Sequence, residues 1–302
     1  MAIKYMYLLS VSLVFAADLG GGPVSARTDA SVVTLNNGLK MPVASFGLQV
    51  VDDDTAQQSV ELAVSLGWRN IFTSVLADNQ PGVGRAIQNV TSAGQVSRAD
   101  LFVCGSVNSA GDCSDSDPEA CRTTTAAALQ GNLHDLKLDY LDMVLLDYPA
   151  SSCALIRQQW AAFEDAYRAT RVRSIAVSNF SPDQLDCILN ASDAAVVPAL
   201  NQMPYSVGHG ADTVVADNTA RGGIVVQAYS PLGGGELVND PTCAAIGAAH
   251  NRTAAQVALR WIVQRNATFS TNPGTSAQYF KEDLDALDFA LTAAEMVKLN
   301  AA

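Results

Sequence analysis

Ser174-Ile-Ala-Val-Ser-Asn-Phe-Ser-Pro182 packs the change from strand to helix into nine residues. Its apolar start reads as a short buried strand, the Ser178-Asn179 pair ends it, and Ser181-Pro182 is an N-cap with proline at the first helical position. The same change of period recurs on both sides. Asp142–Asp147 leads through Tyr148-Pro149 to a helix beginning near Leu155, and Ile224–Ala228 leads through Tyr229-Ser230-Pro231-Leu232-Gly233 toward the next unit. Further strands are expected at Ala44–Leu48, Asn70–Thr73, Leu101–Ser106, Ala199–Gln202 and Thr268–Thr271. The other helices should start near Asp54, Gly82, Cys121, Ala211, Thr253 and Ser276, with capping boxes at Thr253-Ala-Ala-Gln256 and Thr292-Ala-Ala-Glu295.

Strands alternating with helices imply a parallel sheet, and eight such units permit closure into a barrel. The alternation alone fits an open, doubly wound sheet equally well. Ahead of the first unit, Val32–Leu35 and Leu39–Pro42 flank Asn36-Asn37-Gly38, a strong hairpin signal, placed to close the bottom of a barrel. No linker or domain boundary interrupts the stretch from Val32 to Ala302.

The chain has 302 residues, 49% of them hydrophobic and 16% charged, enough to bury a large core. A net charge of −12 argues against nucleic acid and anionic membranes as partners, and it makes a poor attractor for a phosphate-rich cofactor. Three histidines leave little material for metal or acid–base sites. Residues 1–16 read as a signal peptide, with Lys4 before the apolar run Tyr5–Ala17 and a second cleavage site after Ala26, leaving 27–302 as one domain. The run is shorter than the roughly 20 residues a bilayer span needs, so no membrane association is expected once the leader is removed. Sequons at Asn89, Asn179, Asn190, Asn251 and Asn266 and an even set of six cysteines agree with a secreted glycoprotein, and Cys113–Cys121 is the first disulfide to expect.

The segments Val144–Pro149, Ser174–Pro182 and Gln227–Gly233, in this order and spacing, resemble the aldo-keto reductase family. That resemblance covers Val32 to Leu299 and implies a (β/α)8 TIM barrel that reduces carbonyls with NADPH, its site at the C-terminal ends of the strands. The family's catalytic aspartate, tyrosine, lysine and histidine fall on Phe72, Ala77, Ser106 and Asp147. Alanine cannot donate a proton, serine supplies no positive charge, and an ionised Asp147 puts the wrong sign beside a developing oxyanion. On the cofactor side, Ser178, Asn179 and Gln202 match the residues that bind the nicotinamide carboxamide. Tyr229 matches the ring that stacks on it, and Ser230 and Leu232 match the pyrophosphate loop. Thr275-Ser276, at a helix start, could take an anion through backbone N–H groups. The cations that hold a 2′-phosphate in the family are missing, leaving Lys281 between acidic neighbours.

Two readings follow from this resemblance. In the first, the protein is a secreted, catalytically degenerate barrel with weak binding of NAD or NADP, or of another small molecule. In the second, it is an active NAD(P)H-dependent oxidoreductase of aldehydes and ketones, with water, Asp147 or Tyr148 as the proton source. Non-redox chemistry between Asp147 and His209, and a nucleophilic Cys104, are weaker readings of the same region. The sequence favours the first, and it does not define an oligomeric state.

Overall fold

The computed structural model describes residues 31–49, 51–108, 110–191, 196–210 and 213–301. The leader assigned to residues 1–16 or 1–26, Ser192 of one sequon and the helix start near Ala211 lie outside them. The hairpin is present: β1 (Val32–Thr34) pairs antiparallel with β2 (Lys40–Pro42), with Val33 opposite Met41. Then follow β3 (Ala44–Gly47), α1 (Asp53–Ser65), β4 (Asn70–Phe72), α2 (Gln80–Ser92), β5 (Phe102–Val107), α3 (Pro118–Leu136), β6 (Met143–Asp147) and α4 (Cys153–Arg168). The second half runs β7 (Ile175–Ser178), α5 (Pro182–Leu189), β8 (Leu200–Pro204), α6 (Val214–Ala220), β9 (Val225–Tyr229), α7 (Pro241–His250), α8 (Ala254–Gln264), β10 (Thr268–Thr271), α9 (Ala277–Asp285) and α10 (Ala293–Asn300).

Strands β3 to β10 are parallel neighbours, and β10 returns to pair with β3, so the sheet closes. Closure decides for the barrel over the doubly wound sheet. Side chains alternate across it. Phe46, Ile71, Val103, Val144, Leu146, Val177, Val226 and Phe269 point outward into the core shared with the helices. Phe72, Phe102, Cys104, Met143, Leu145, Ala176 and Leu200 point inward and pack with Leu35 and Met41 of the hairpin. The hairpin therefore plugs the bottom. Asn36 Nδ2 donates to the carbonyls of Pro198 (3.0 Å) and Gly222 (3.2 Å), and Asn37 Nδ2 to that of Arg173 (3.0 Å), just before β8, β9 and β7.

The helices begin where polar residues satisfy their first N–H groups. Asp52, Ser152, Ser181, Asp240, Thr253, Ser276 and Thr292 all cap, and Ser181, Thr253 and Thr292 do so within capping boxes. Gly82 and Gly84 of α2 pass so close to the Asp53 and Leu136 carbonyls that a β-carbon at either would collide. At the bottom, Asp142 sits between Arg98 (2.8 Å) and Arg173 (2.9 Å). Two disulfides form near the opposite face, the expected Cys113–Cys121 and also Cys153–Cys187, while Cys104 and Cys243 are buried thiols. No helix among the described residues is long and apolar enough to cross a membrane.

Candidate active site

Strand pairing builds the polar wall of the site. Asp147 lies opposite Ser178, Ser178 opposite Gln202, Gln202 opposite Gln227, and Gln227 opposite Thr268. These five residues, one from each of β6 to β10, are buried and share the inward parity, so they form one polar row around half the barrel. Gln202 Nε2 donates to Gln227 Oε1 at 2.8 Å. Asn179 Nδ2 donates to Ser178 Oγ at 3.0 Å and to Asp147 Oδ1 at 3.3 Å, while Tyr229 donates its hydroxyl proton to Asn179 Oδ1 at 2.9 Å. Asp147, Ser178, Asn179 and Tyr229 thus form one connected group.

The facing wall carries no charged side chain at Phe72, Ser106 or Ala77. Phe72 belongs to the inward cluster with the hairpin, so this ring fills core where a charged group would need a partner. Ser106 is fully buried and donates to Ser74 Oγ at 3.2 Å; Ser74 in turn caps the short turn Val75–Ala77. Ala77 ends that turn with a methyl group.

Asp147 is 7% exposed, and burial pushes its carboxyl above the usual carboxylate range. Hydrogen bonds from Ser178, Asn179 and the Tyr148 N–H pull the other way and do not offset it. Burial also pushes the Tyr229 phenol up, with the neighbouring Tyr148 and Asp147 adding to the effect. No lysine or arginine occurs in any segment leading from a barrel strand to the next helix: 48–52, 73–79, 108–117, 148–152, 179–181, 205–213, 230–240 or 272–276.

The backbone at the mouth is unusual. Tyr148 (φ 63°), Asn179 (φ 63°) and Ser230 (φ 48°) each follow the last residue of β6, β7 and β9 in the left-handed region. Such conformations in non-glycine residues concentrate at functional sites. Beyond Ser230, Gly233, Gly234 and Gly235 also have positive φ, and a β-carbon on Gly234 would meet open space.

The expected residues therefore divide. Ser178, Asn179, Gln202 and Tyr229 converge with Asp147, and Ser230 and Leu232 continue along the loop out of β9. Thr275 and Ser276 stand apart, on the segment after β10, where Ser276 accepts a bond from the Tyr279 N–H at 3.3 Å. His209 is exposed on the turn that starts at Ser206, and among the described residues no hydrogen bond joins it to Asp147. Cys104 points into the core and burial raises its pKa far beyond a reactive thiolate's, so it is a packing residue. Among the described residues no His, Cys, Asp or Glu cluster suits a metal. Three participants were not expected, Gln227, Thr268 and Ser74. Gln227 shares the parity of Tyr229 two residues later, which is the signal that could have found it.

The family model described as Aldo/keto reductase family matches residues 43–302. The chain is 34% identical over 282 residues to the morphine 6-dehydrogenase of Pseudomonas putida, covering 89% of this chain and 90% of that protein. It is 36% identical over 269 residues to an aldo-keto reductase of Mycolicibacterium vanbaalenii, covering 89% and 90%. It is 32% identical over 271 residues to the glyoxal reductase of Bacillus subtilis, covering 89% and 91%. Relatives of full barrel length named as dehydrogenase and reductases overturn the expectation of a catalytically degenerate barrel. That expectation rested on the replacements at Phe72, Ala77, Ser106 and Asp147 and counted Asp147 as ionised, whereas burial raises the pKa of its carboxyl. By the match of its sequence and by its closed barrel, the chain belongs to the aldo/keto reductase family.

Proposed function

We propose that the protein is an NAD(P)H-dependent oxidoreductase of aldehydes and ketones in which Asp147 delivers the proton. The observation that carries this reading is the placement of Asp147. Its carboxyl closes β6 at the mouth, is held by Asn179, and is biased by burial toward the form that can donate. Tyr229 is the poorer acid, because its phenol is pushed up and its proton is committed to Asn179.

The residues present fit the nicotinamide end of a dinucleotide. Ser178, Asn179 and Gln202 offer hydroxyl and amide groups in one row, Tyr229 offers a half-buried ring, and the open backbone at Gly234 admits close approach of a phosphate group. When bound, the reduced nicotinamide supplies the hydride. The proton goes from the Asp147 carboxyl to the carbonyl oxygen, leaving a carboxylate that the Asn179 amide and Ser178 hydroxyl stabilise until solvent reprotonates it. Across the barrel stands the Phe72 ring, apolar where a charged group would need a partner, which suits an uncharged carbon skeleton in the substrate.

The test is consumption of NADH or NADPH by the purified protein over a panel of aldehydes and ketones. Asp147→Asn should lower kcat/KM by about 10²- to 10⁴-fold, the usual worth of a general acid. The wild-type rate should fall as pH rises through the elevated pKa of Asp147, and this limb should vanish in the variant. Equal turnover by both proteins at every pH would remove Asp147 from the reaction; no turnover by the wild type would remove the reductase reading.

A further inference from the structure

We infer that the disulfides Cys113–Cys121 and Cys153–Cys187 act as positioning elements for Asp147, and that exchange with a dithiol reductant lowers the activity of the site; the activity arm rests on the reductase reading above. The residues after Asp147 have little regular structure of their own. Tyr148 is in the left-handed region, and α4 starts only at Cys153. This strip is held at three points. The Ala150 N–H donates to Gln159 Oε1 at 3.1 Å, Ser152 Oγ donates to Asp115 Oδ1 at 2.6 Å, and Cys153 is bonded to Cys187.

Both flanking units are drawn in by these contacts. Asp115 lies inside the loop that Cys113–Cys121 closes, with a separation of eight residues, and Cys121 itself lies against the Leu155 carbonyl in the first turn of α4. Cys187 belongs to α5, the helix that follows Ser178 and Asn179, the two side chains bonded to Asp147. One disulfide thus ties the β5–α3 loop to α3 and so holds Asp115, the partner of Ser152, while the other fastens the strip itself to the β7–α5 unit. Apart from its disulfide and the Ser152–Asp115 bond, that loop is exposed over most of residues 111–117 and held by local contacts such as Ser114 to Ser116 and the Ser114–Asp117 bridge. Few buried contacts mean low local stability once the crosslink is gone.

Cys153 is exposed and Cys113 half-buried, so each bond presents a sulfur to an external thiolate. Attack there forms a mixed disulfide and releases Cys187 or Cys121 as a thiolate, which takes a proton. The second thiol of the reductant then closes its own disulfide and releases Cys153 or Cys113. Two electrons and two protons pass from the dithiol to the protein, per bond.

The experiment compares the oxidised protein with protein equilibrated in dithiothreitol, reading amide exchange by mass spectrometry and carbonyl reduction by cofactor absorbance. Reduction should speed exchange in peptides spanning 108–117 and 148–153, with little change in the barrel strands. It should lower kcat by about tenfold or more, since displacing a catalytic group by 1 Å can cost about 10²-fold. Reoxidation should restore both. Cys153→Ser should show the loss without reductant, and Cys243→Ser, at a buried thiol away from the strip, should keep the wild-type response. Unchanged exchange on reduction would overturn the inference, and so would unchanged kcat in a protein that turns over. If the oxidised protein shows no turnover, the reductase reading fails and the exchange result alone decides the inference.

Discussion

A buried carboxyl with no cation beside it behaves differently from one held in an ion pair, and the protein contains both kinds. Asp283 in α9 is 6% exposed, and burial pushes it up to about 7 from an ordinary 3.8. The unfolded chain therefore loses this proton near pH 4 and the folded chain only near pH 7, so stability falls as pH rises across that window. Asp283→Asn, which stays neutral, should raise the melting temperature at pH 8 and leave it nearly unchanged at pH 4. The gain should be on the order of a few kcal/mol. Calorimetry at the two pH values checks it, and an equal shift at both would assign the effect to packing. Asp147 follows the same physics but stands where a reactant can meet it. Its position at a strand end could be read from the sequence, because a run of apolar residues ending on Asp-Tyr-Pro has one plausible boundary. Its ionisation could not, since burial depends on what eight strands and a hairpin enclose together.

At the scale of elements, the sequence located seven of the barrel strands to within two residues at each end and the eighth without error, because parallel strands buried on both faces read as short apolar runs. Thr268–Thr271 is that eighth strand. Helix α7 escaped notice although Asp240-Pro241 is a start signal of the same kind as Ser181-Pro182. It escaped because α8 follows it directly, and two successive helices break the alternation on which the reading relied. The bottom contacts were likewise hidden, since Arg98, Asp142 and Arg173 come from three separate connections. Asp142 is almost fully buried between the two guanidinium groups, and Arg98 also lies over the Tyr140 ring at 4.2 Å. Removing only the carboxylate, as in Asp142→Ala, leaves the arginines partly buried and uncompensated. It should destabilise the protein by about 3–5 kcal/mol, measured by denaturant unfolding. A loss below about 1 kcal/mol would place the pair among surface ion pairs.

Across the whole molecule, charge is sorted by face. The connections at the mouth hold no lysine or arginine, while those entering the strands from below carry Arg69, Arg98, Lys137, Arg171, Arg173, Arg221 and Arg265. With a net charge of −12, an anionic dinucleotide approaches an unfavourable field. Added salt should therefore tighten its binding between about 10 mM and 150 mM, where the screening length falls from about 30 Å to about 8 Å. The effect should be larger for NADPH than for NADH, which carries one phosphate fewer. Fluorescence titration at the two ionic strengths checks this, and weaker binding in salt would point to a cationic site. The left-handed residues that end three strands carry a different consequence. Glycine at Tyr148 or Ser230 would let the chain relax there, so selection for heat resistance alone would favour loosening the rim. Their strained geometry makes the opening of this barrel the place where toughness and function pull apart.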